Sequence, residues 1–245
     1  MYRERAAAAG GVVWTGTAGD GEVHRVVPDG CMDFVWDGAR VLVAGPDTVA
    51  HFADWKPGRV FVGLRMPPGA GPAAVGVPAH ELRDRRVDLE DVWPAGEARR
   101  LVEQAGPAPD AGVPLERAAA RRTAAGAGAD PVMRHAAALL SAGASAARVA
   151  EETGMGPRRL HRRSLAAFGY GPRTLGRILR FDRALAAARA GTPFAEVAAA
   201  AGYADQAHLA REVKALAGDP LSVLVGHSNG ANRSTQWPSG SHTTA

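Results

Sequence analysis

The sequence predicts an α+β protein in two parts. A β-rich, barrel-like N-terminal domain with short flanking helices precedes an all-α domain in which a long helix joins two helix-turn-helix units. Three observations predict this. Short β-prone runs broken by turn residues crowd residues 11–66. Helical patterning takes over at Pro131. Between Val149 and Lys214 one motif occurs twice.

The strands come first. Val23-His24-Arg25-Val26-Val27 runs into the turn signal Pro28-Asp29-Gly30. Met32 to Trp36 and Val41 to Val43 flank Asp37-Gly38, a hairpin signal, and Gly45-Pro46 ends the pair. Val60 to Met66 is stopped by Pro67-Pro68-Gly69. Several short strands with turns between them suggest an antiparallel barrel or sandwich. Ala79 to Leu82 and Glu97 to Gln104 read as short helices outside it. The front domain is therefore placed at residues 1–104.

Residues 105–130 hold three prolines, several glycines and few large apolar residues. They read as a linker with a short helix over Leu115–Arg122. Helices are then expected over 131–141, 146–153, 157–167, 173–189, 193–201 and 206–216. Thr192-Pro193 reads as an N-cap followed by proline at the first helical position, and Asp205 is placed to cap the helix starting at Gln206. The helical domain is thus set at 131–225, and 226–245, rich in Ser, Asn, Gly and Thr, is expected to be disordered.

The repeat carries the functional argument. Val149-Ala150-Glu151-Glu152-Thr153-Gly154 leads through a turn to Arg158-Arg159-Leu160-His161-Arg162-Arg163. Val197-Ala198-Ala199-Ala200-Ala201-Gly202 leads to Ala207-His208-Leu209-Ala210-Arg211-Glu212. On a helical wheel Arg158, His161, Arg162 and Leu165 share one face, Leu160 and Ser164 lie opposite, and Arg159 and Arg163 flank. So many cations on one helix repel each other unless phosphates neutralise them, and arginine can pair with two acceptors of guanine in a major groove. In the second copy Leu209, Val213 and Leu216 line the buried side. Gln206, Ala207, Ala210, Arg211 and Lys214 face outward, suited to adenine and thymine-methyl contacts. A solvated basic face is the alternative, and the repeat weighs against it.

Charge agrees. The chain carries +4 overall, but residues 1–128 sum to −2 and 129–225 to +5, so the repeat lies in the basic half. The single cysteine, Cys31, rules out an intramolecular disulfide and a four-cysteine zinc site. There is no apolar run of membrane-spanning length and no signal-peptide core, so a cytoplasmic location is expected. Almost all the basic residues are arginine, and alanine is abundant, which fits a GC-rich, bacterial genome.

Residues 131–225 resemble the DNA-binding domain of AraC/XylS-type transcription regulators. The matching pieces are Gly154-Met155 with Leu160 and Arg162, Gly169-Tyr170-Gly171-Pro172, Arg180 with Ala184, and Gly202 through Leu209, closed by Gly218-Asp219-Pro220. The resemblance implies a regulator that places the second helix of each unit in successive major grooves of double-stranded DNA. Arg158, His161 and Arg162, with Gln206, Ala207, Ala210 and Arg211, take the base-reading role, and Arg159, Arg163 and Lys214 serve the backbone. RNA polymerase, a small-molecule effector and a second copy held through the front domain are the further partners it admits. It implies no cofactor, metal or catalysis. Two positions depart from the family: Gly156 stands where a serine N-cap is usual, and Ser164 where phenylalanine is usual.

Pro28 to Asp33 and Gly63 to Gly69 resemble the front domain of a less-studied branch of these regulators. Cys31, Asp33, Trp36, His51 and Arg65 are its candidate effector pocket, with an ordinary core as the alternative. His24, His51 and His80 are scattered, without metal-ligand spacing. Two rival readings make weaker predictions. A regulator fused to a methyl-accepting repair enzyme needs more cysteines. An interaction adaptor that has lost DNA binding has no use for the arginine face.

Overall fold

The computed structural model describes residues 2–8, 10–19, 24–53, 55–106, 111–126 and 128–226. Apart from Gly226, the tail expected to be disordered lies outside the described residues, as does Val23.

Six strands form one antiparallel sheet: β1 (Tyr2–Ala6), β2 (Val12–Thr17), β4 (Met32–Trp36), β5 (Val41–Ala44), β7 (Val60–Met66) and β8 (Arg86–Asp88), in the order β1-β2-β7-β4-β5-β8. The remaining two, β3 (His24–Val26) and β6 (His51–Ala53), pair with each other as a separate ribbon. The barrel-like layer is therefore open, with β1 and β8 as its edges. The β4–β5 connection is the expected hairpin. Asp37 Oδ1 accepts from the amides of Ala39 and Arg40, both at 3.0 Å, and Gly38 takes φ +96°.

Alternation divides the sheet by chemistry. Val13, Met32, Phe34, Val41, Val43, Val62, Leu64 and Met66 are buried on one face, under α1 (Gly71–Val75), α2 (Ala95–Ala105) and α3 (Gly112–Ala125). Trp14, Asp33, Val35, Phe61 and Arg65 occupy alternate positions and face the other way. Register aligns Arg65 with Asp33 and Trp14 with Gly63. A Cβ on Gly63 would come within 2.0 Å of the Trp14 indole, so glycine makes room for that ring.

The stretch expected as a linker contains α3, with Leu115, Ala118 and Ala119 buried in the front core. Small side chains let this helix approach the sheet closely, so it belongs to the packed layer despite having few large apolar residues.

The helices that follow are α4 (Pro131–Ser141), α5 (Ala146–Glu152), α6 (Pro157–Phe168), α7 (Pro172–Arg189), α8 (Phe194–Ala200), α9 (Gln206–Ala217) and α10 (Leu221–Gly226). Leu160, Phe168, Leu175, Ile178, Phe181, Leu185, Leu209 and Leu216 make one core around α7, each fully buried large side chain contributing roughly 1.5–3 kcal/mol. Asp205 caps α9 by accepting from the His208 amide at 2.6 Å. At α8 the expectation shifts by one residue: Pro193 itself is the N-cap and no side chain caps the helix.

The two halves share an interface that touches both second helices. Val27 is part of the helical core. Arg83 Nη1 donates to the Gly169 carbonyl at 3.1 Å, just beyond α6. The Ala50 amide donates to the Leu216 carbonyl at 2.7 Å near the end of α9, and Arg25 pairs with Asp219. Gly30, at φ +81°, lies where a Cβ would come within 2.9 Å of Leu175 Cδ1.

Ser164 is fully buried and its hydroxyl meets no hydrogen-bond partner among the described residues. An unpaired buried hydroxyl carries its desolvation cost uncompensated. Ser164→Ala is therefore expected to stabilise the protein by about 1 kcal/mol. A thermal or urea melt checks this, and a destabilised variant would show that the hydroxyl is satisfied.

Candidate nucleic-acid interface

The first unit is α5, a turn and α6. Ser145 caps α5 by accepting from the Arg148 amide at 3.2 Å. Thr153 Oγ1 donates to the Val149 carbonyl at 2.6 Å, Gly154 takes φ +61°, and Met155 is buried beneath the turn. Gly156 starts α6 without a side-chain cap, leaving Pro157 to set the first helical turn.

Leu160, Ser164 and Phe168 face the core. Arg158, Arg159, His161 and Arg162 are exposed, and among the described residues no salt bridge engages these three arginines. His161 also lies against the start of α7, where a Cβ on Gly171 would come within 2.9 Å of its ring.

Arg163 is different. It is half-buried and pairs with Asp130, and its Nη1 lies 3.6 Å from Met155 Sδ. Asp130 also caps α4, accepting from the amides of Val132 and Met133 at 3.0 and 3.2 Å. Burial works against the Asp130 charge, yet Arg163 and the two amides hold its carboxyl below the usual range. The charge of Arg163 is therefore committed to joining α6 to α4.

The second unit is α8, a turn at Gly202 with φ +75°, and α9. Leu209, Val213, Leu216 and Ala217 are buried, while Gln206, Ala207, Ala210, Arg211 and Lys214 are exposed. Glu212 does not offset the exposed cations. Its carboxylate takes Arg177 Nε at 2.7 Å, and Arg180 lies 3.8 Å away. Arg180 in turn sits over the Tyr203 ring at 4.4 Å. These contacts fasten α9 to α7, the helix linking the two units.

Behind the helices, a cavity of about 170 Å³ lies between the sheet and the β3–β6 ribbon. Four of the five expected pocket residues line it: Cys31, Asp33, His51 and Arg65. Trp36 does not. It stands three residues from Asp33, so strand alternation turns it to the opposite face, against the core under the helices. Trp14, Asp29, Asp47, Trp55, Phe61 and Arg86 also line the cavity and were missed. Parity along β2 and β7 could have found Trp14 and Phe61. The Arg86–Asp47 pair spans 39 positions and leaves no local signal.

Arg65 is buried between carboxylates, with Nε 3.4 Å from Asp29 Oδ2 and 3.5 Å from Asp33 Oδ1, and Nη1 3.6 Å from Glu4. Asp33 Oδ1 also accepts from Trp14 Nε1 at 2.7 Å. Burial pushes the Asp33 carboxyl up to about 6, although Arg65 pulls it down. Arg86 holds Asp47 through two hydrogen bonds, at 2.8 and 2.6 Å. Burial and the nearby Arg86 lower the pKa of His51, and burial raises that of the Cys31 thiol. Among the described residues no cluster of three or more His, Cys, Asp or Glu is arranged to hold a metal ion, and no helix is long and apolar enough to cross a membrane.

Comparison with known proteins covers both halves. Residues 149–225 match the model of a helix-turn-helix domain family, and residues 12–88 match a domain of unknown function, DUF6597. No curated protein matches the chain. Among solved structures, the crystal structure of ToxT from Vibrio cholerae O395 aligns with a TM-score of 0.50 at 9% identity, over 94% of this chain and 99% of that one. A second crystal form of ToxT from Vibrio cholerae, at 1.65 Å resolution, gives the same figures. At that identity the likeness is one of fold, and it extends over both halves.

Proposed function

From the premise that the chain carries an AraC-type helix-turn-helix domain behind a β-rich front domain, we propose that it is a sequence-specific DNA-binding transcription regulator. The outward faces of α6 and α9 enter successive major grooves of the operator. The observation that carries this reading is the set of three exposed arginines on α6, free of salt bridges among the described residues, beside the exposed face of α9.

In this reading Arg158, His161 and Arg162 meet base edges and Arg159 meets phosphate. Gln206, Ala207 and Ala210 read by shape and methyl contact, with Arg211 and Lys214 anchoring the second helix. Arg163 moves from the contact face to a positioning role. The front domain modulates this activity through a small molecule in its cavity, and supplies the surface for a second copy or for RNA polymerase.

The test is selection of bound duplexes from a random pool by the full chain, followed by salt titration on the best site. A sequence preference is expected, with log affinity falling linearly against log salt. Arg163→Ala is the internal control. It is expected to cost about 0.5–1 kcal/mol of stability and to leave the salt slope unchanged, since an exposed or half-exposed ion pair is worth little. Binding without sequence preference would refute the proposal. A flattened slope for Arg163→Ala would return that residue to the phosphate contacts.

A further inference from the structure

We infer that the front-domain cavity is built for a small organic cation, an ammonium or guanidinium compound with an apolar body. This rests on the reading of the front domain as the control domain and adds the ligand's chemical class.

The argument begins with the charges on the walls. Asp29, Asp33 and Asp47 line the cavity, with Arg65 and Arg86 as the guanidinium groups among them. Both cations are already engaged: Arg86 through its two-point contact with Asp47, and Arg65 among Asp29, Asp33 and Glu4. Among the described residues, three wall carboxylates thus share two cations, and Glu4 draws on Arg65 from outside the wall. An anionic ligand would have to displace a carboxylate to reach either guanidinium. A neutral ligand would leave the excess negative charge buried. A single positive charge balances the wall.

The shape agrees. The rings of Trp14, Trp55 and Phe61 line the same space, with Trp55 stacked on Phe61 at 4.0 Å between centroids. Aromatic faces attract organic cations, the more so when water is excluded. The cavity is about 170 Å³, so the ligand is small.

The groups around Asp33 give a pH signature. Arg65 from β7, Arg86 from β8, Trp14 from β2, Tyr2 and Glu4 from β1, the loop residues Asp29 and Cys31, Asp47, and His51 from β6 surround this carboxyl or line its cavity. Burial raises its pKa to about 6. Cation binding therefore strengthens as pH rises through that value and Asp33 ionises.

The wall also points to a route outward. Asp29, Cys31 and Arg65 belong both to this cavity and to the cleft between the two halves, where Arg134 of α4 and Asp182 of α7 form the opposite side. A cation paired with Asp33 loosens the hold of that carboxylate on Arg65, which lines this cleft.

The experiment uses the full chain, with benzylamine, butylamine and butylguanidine as cationic probes and benzyl alcohol and benzoate as neutral and anionic counterparts. Thermal shift and calorimetric titration read binding, and operator affinity is read separately. At least one cationic probe is expected to bind about tenfold or more tightly than either counterpart, through a charge-assisted contact. That binding should weaken at pH 5 and be lost in Asp33→Asn. The comparison among probes stands on the wild-type chain even if the variant folds poorly. Failure of all three cations, or benzoate or benzyl alcohol binding as tightly, overturns the inference and leaves the control reading standing. Cation binding that leaves operator affinity unchanged upholds the ligand class and refutes the control reading.

Discussion

Arg65→Met is expected to destabilise the front domain by about 3–5 kcal/mol, the usual cost of removing one partner from a buried charge cluster. Arg65 is 6% exposed and lies within 3.6 Å of Glu4, Asp29 and Asp33. Methionine fills similar space but leaves these carboxylates without their shared cation. The loss depends on pH, with a definite sign. The Asp33 carboxyl titrates near 3.8 in an ordinary setting and at about 6 in the fold. Between these values the folded state holds the extra proton, so this group's contribution to stability falls as pH rises through the window. Removing Arg65, which lowers that pKa, extends the window upward. The defect should be largest near pH 8 and shrink toward pH 4. Urea melts followed by tryptophan fluorescence at several pH values check this, and a loss below 1 kcal/mol at pH 8 would show that the cluster is solvated.

Replacing Arg158, Arg159 and Arg162 together with alanine is expected to abolish sequence preference and to weaken attachment to DNA. Each phosphate contact contributes about −0.9 to the slope of log affinity against log salt, so the loss of Arg159 flattens it by about one unit. Base-reading contacts flatten it less and show instead as lost specificity. Arg162→Ala alone should cost about 1–3 kcal/mol on the best site and relax preference at one or two base pairs. Arg211→Ala with Lys214→Ala should change the slope by no more than about two units. Equal losses on specific and scrambled duplexes for Arg162→Ala would assign that residue to backbone alone.

The two helical units were legible because their signals are local. A turn glycine and a leucine at the fourth position of the next helix recur at nearly constant spacing, and Asp205 caps the second of these helices. The departures at Gly156 and Ser164 were legible for the same reason, and the structure shows an uncapped helix start and a buried hydroxyl without a partner among the described residues. The helix α3 was less legible. Its buried face is mostly alanine around Leu115, and alanine carries little periodic signal against a background rich in it. In the cavity, Cys31, Asp33, His51 and Arg65 could be named from sequence, whereas Trp36 failed on strand parity. Asp47 and Arg86 required knowing that the three-residue strand β8 pairs with β5, a contact that no neighbouring residue announces.

Both second helices end against the front domain: α6 at Gly169, beside Arg83, and α9 at Leu216, bonded to Ala50. On the proposed reading, a structural unit that holds both second helices by their far ends couples whatever it binds to the DNA they contact. Such coupling is symmetric in free energy. If a molecule seated in the front half changes operator affinity by some factor, the operator changes the affinity for that molecule by the same factor, typically about 5- to 150-fold. A promoter bound by this protein would then retune the concentration at which the signal is sensed, so the response threshold would belong to the gene as much as to the receptor.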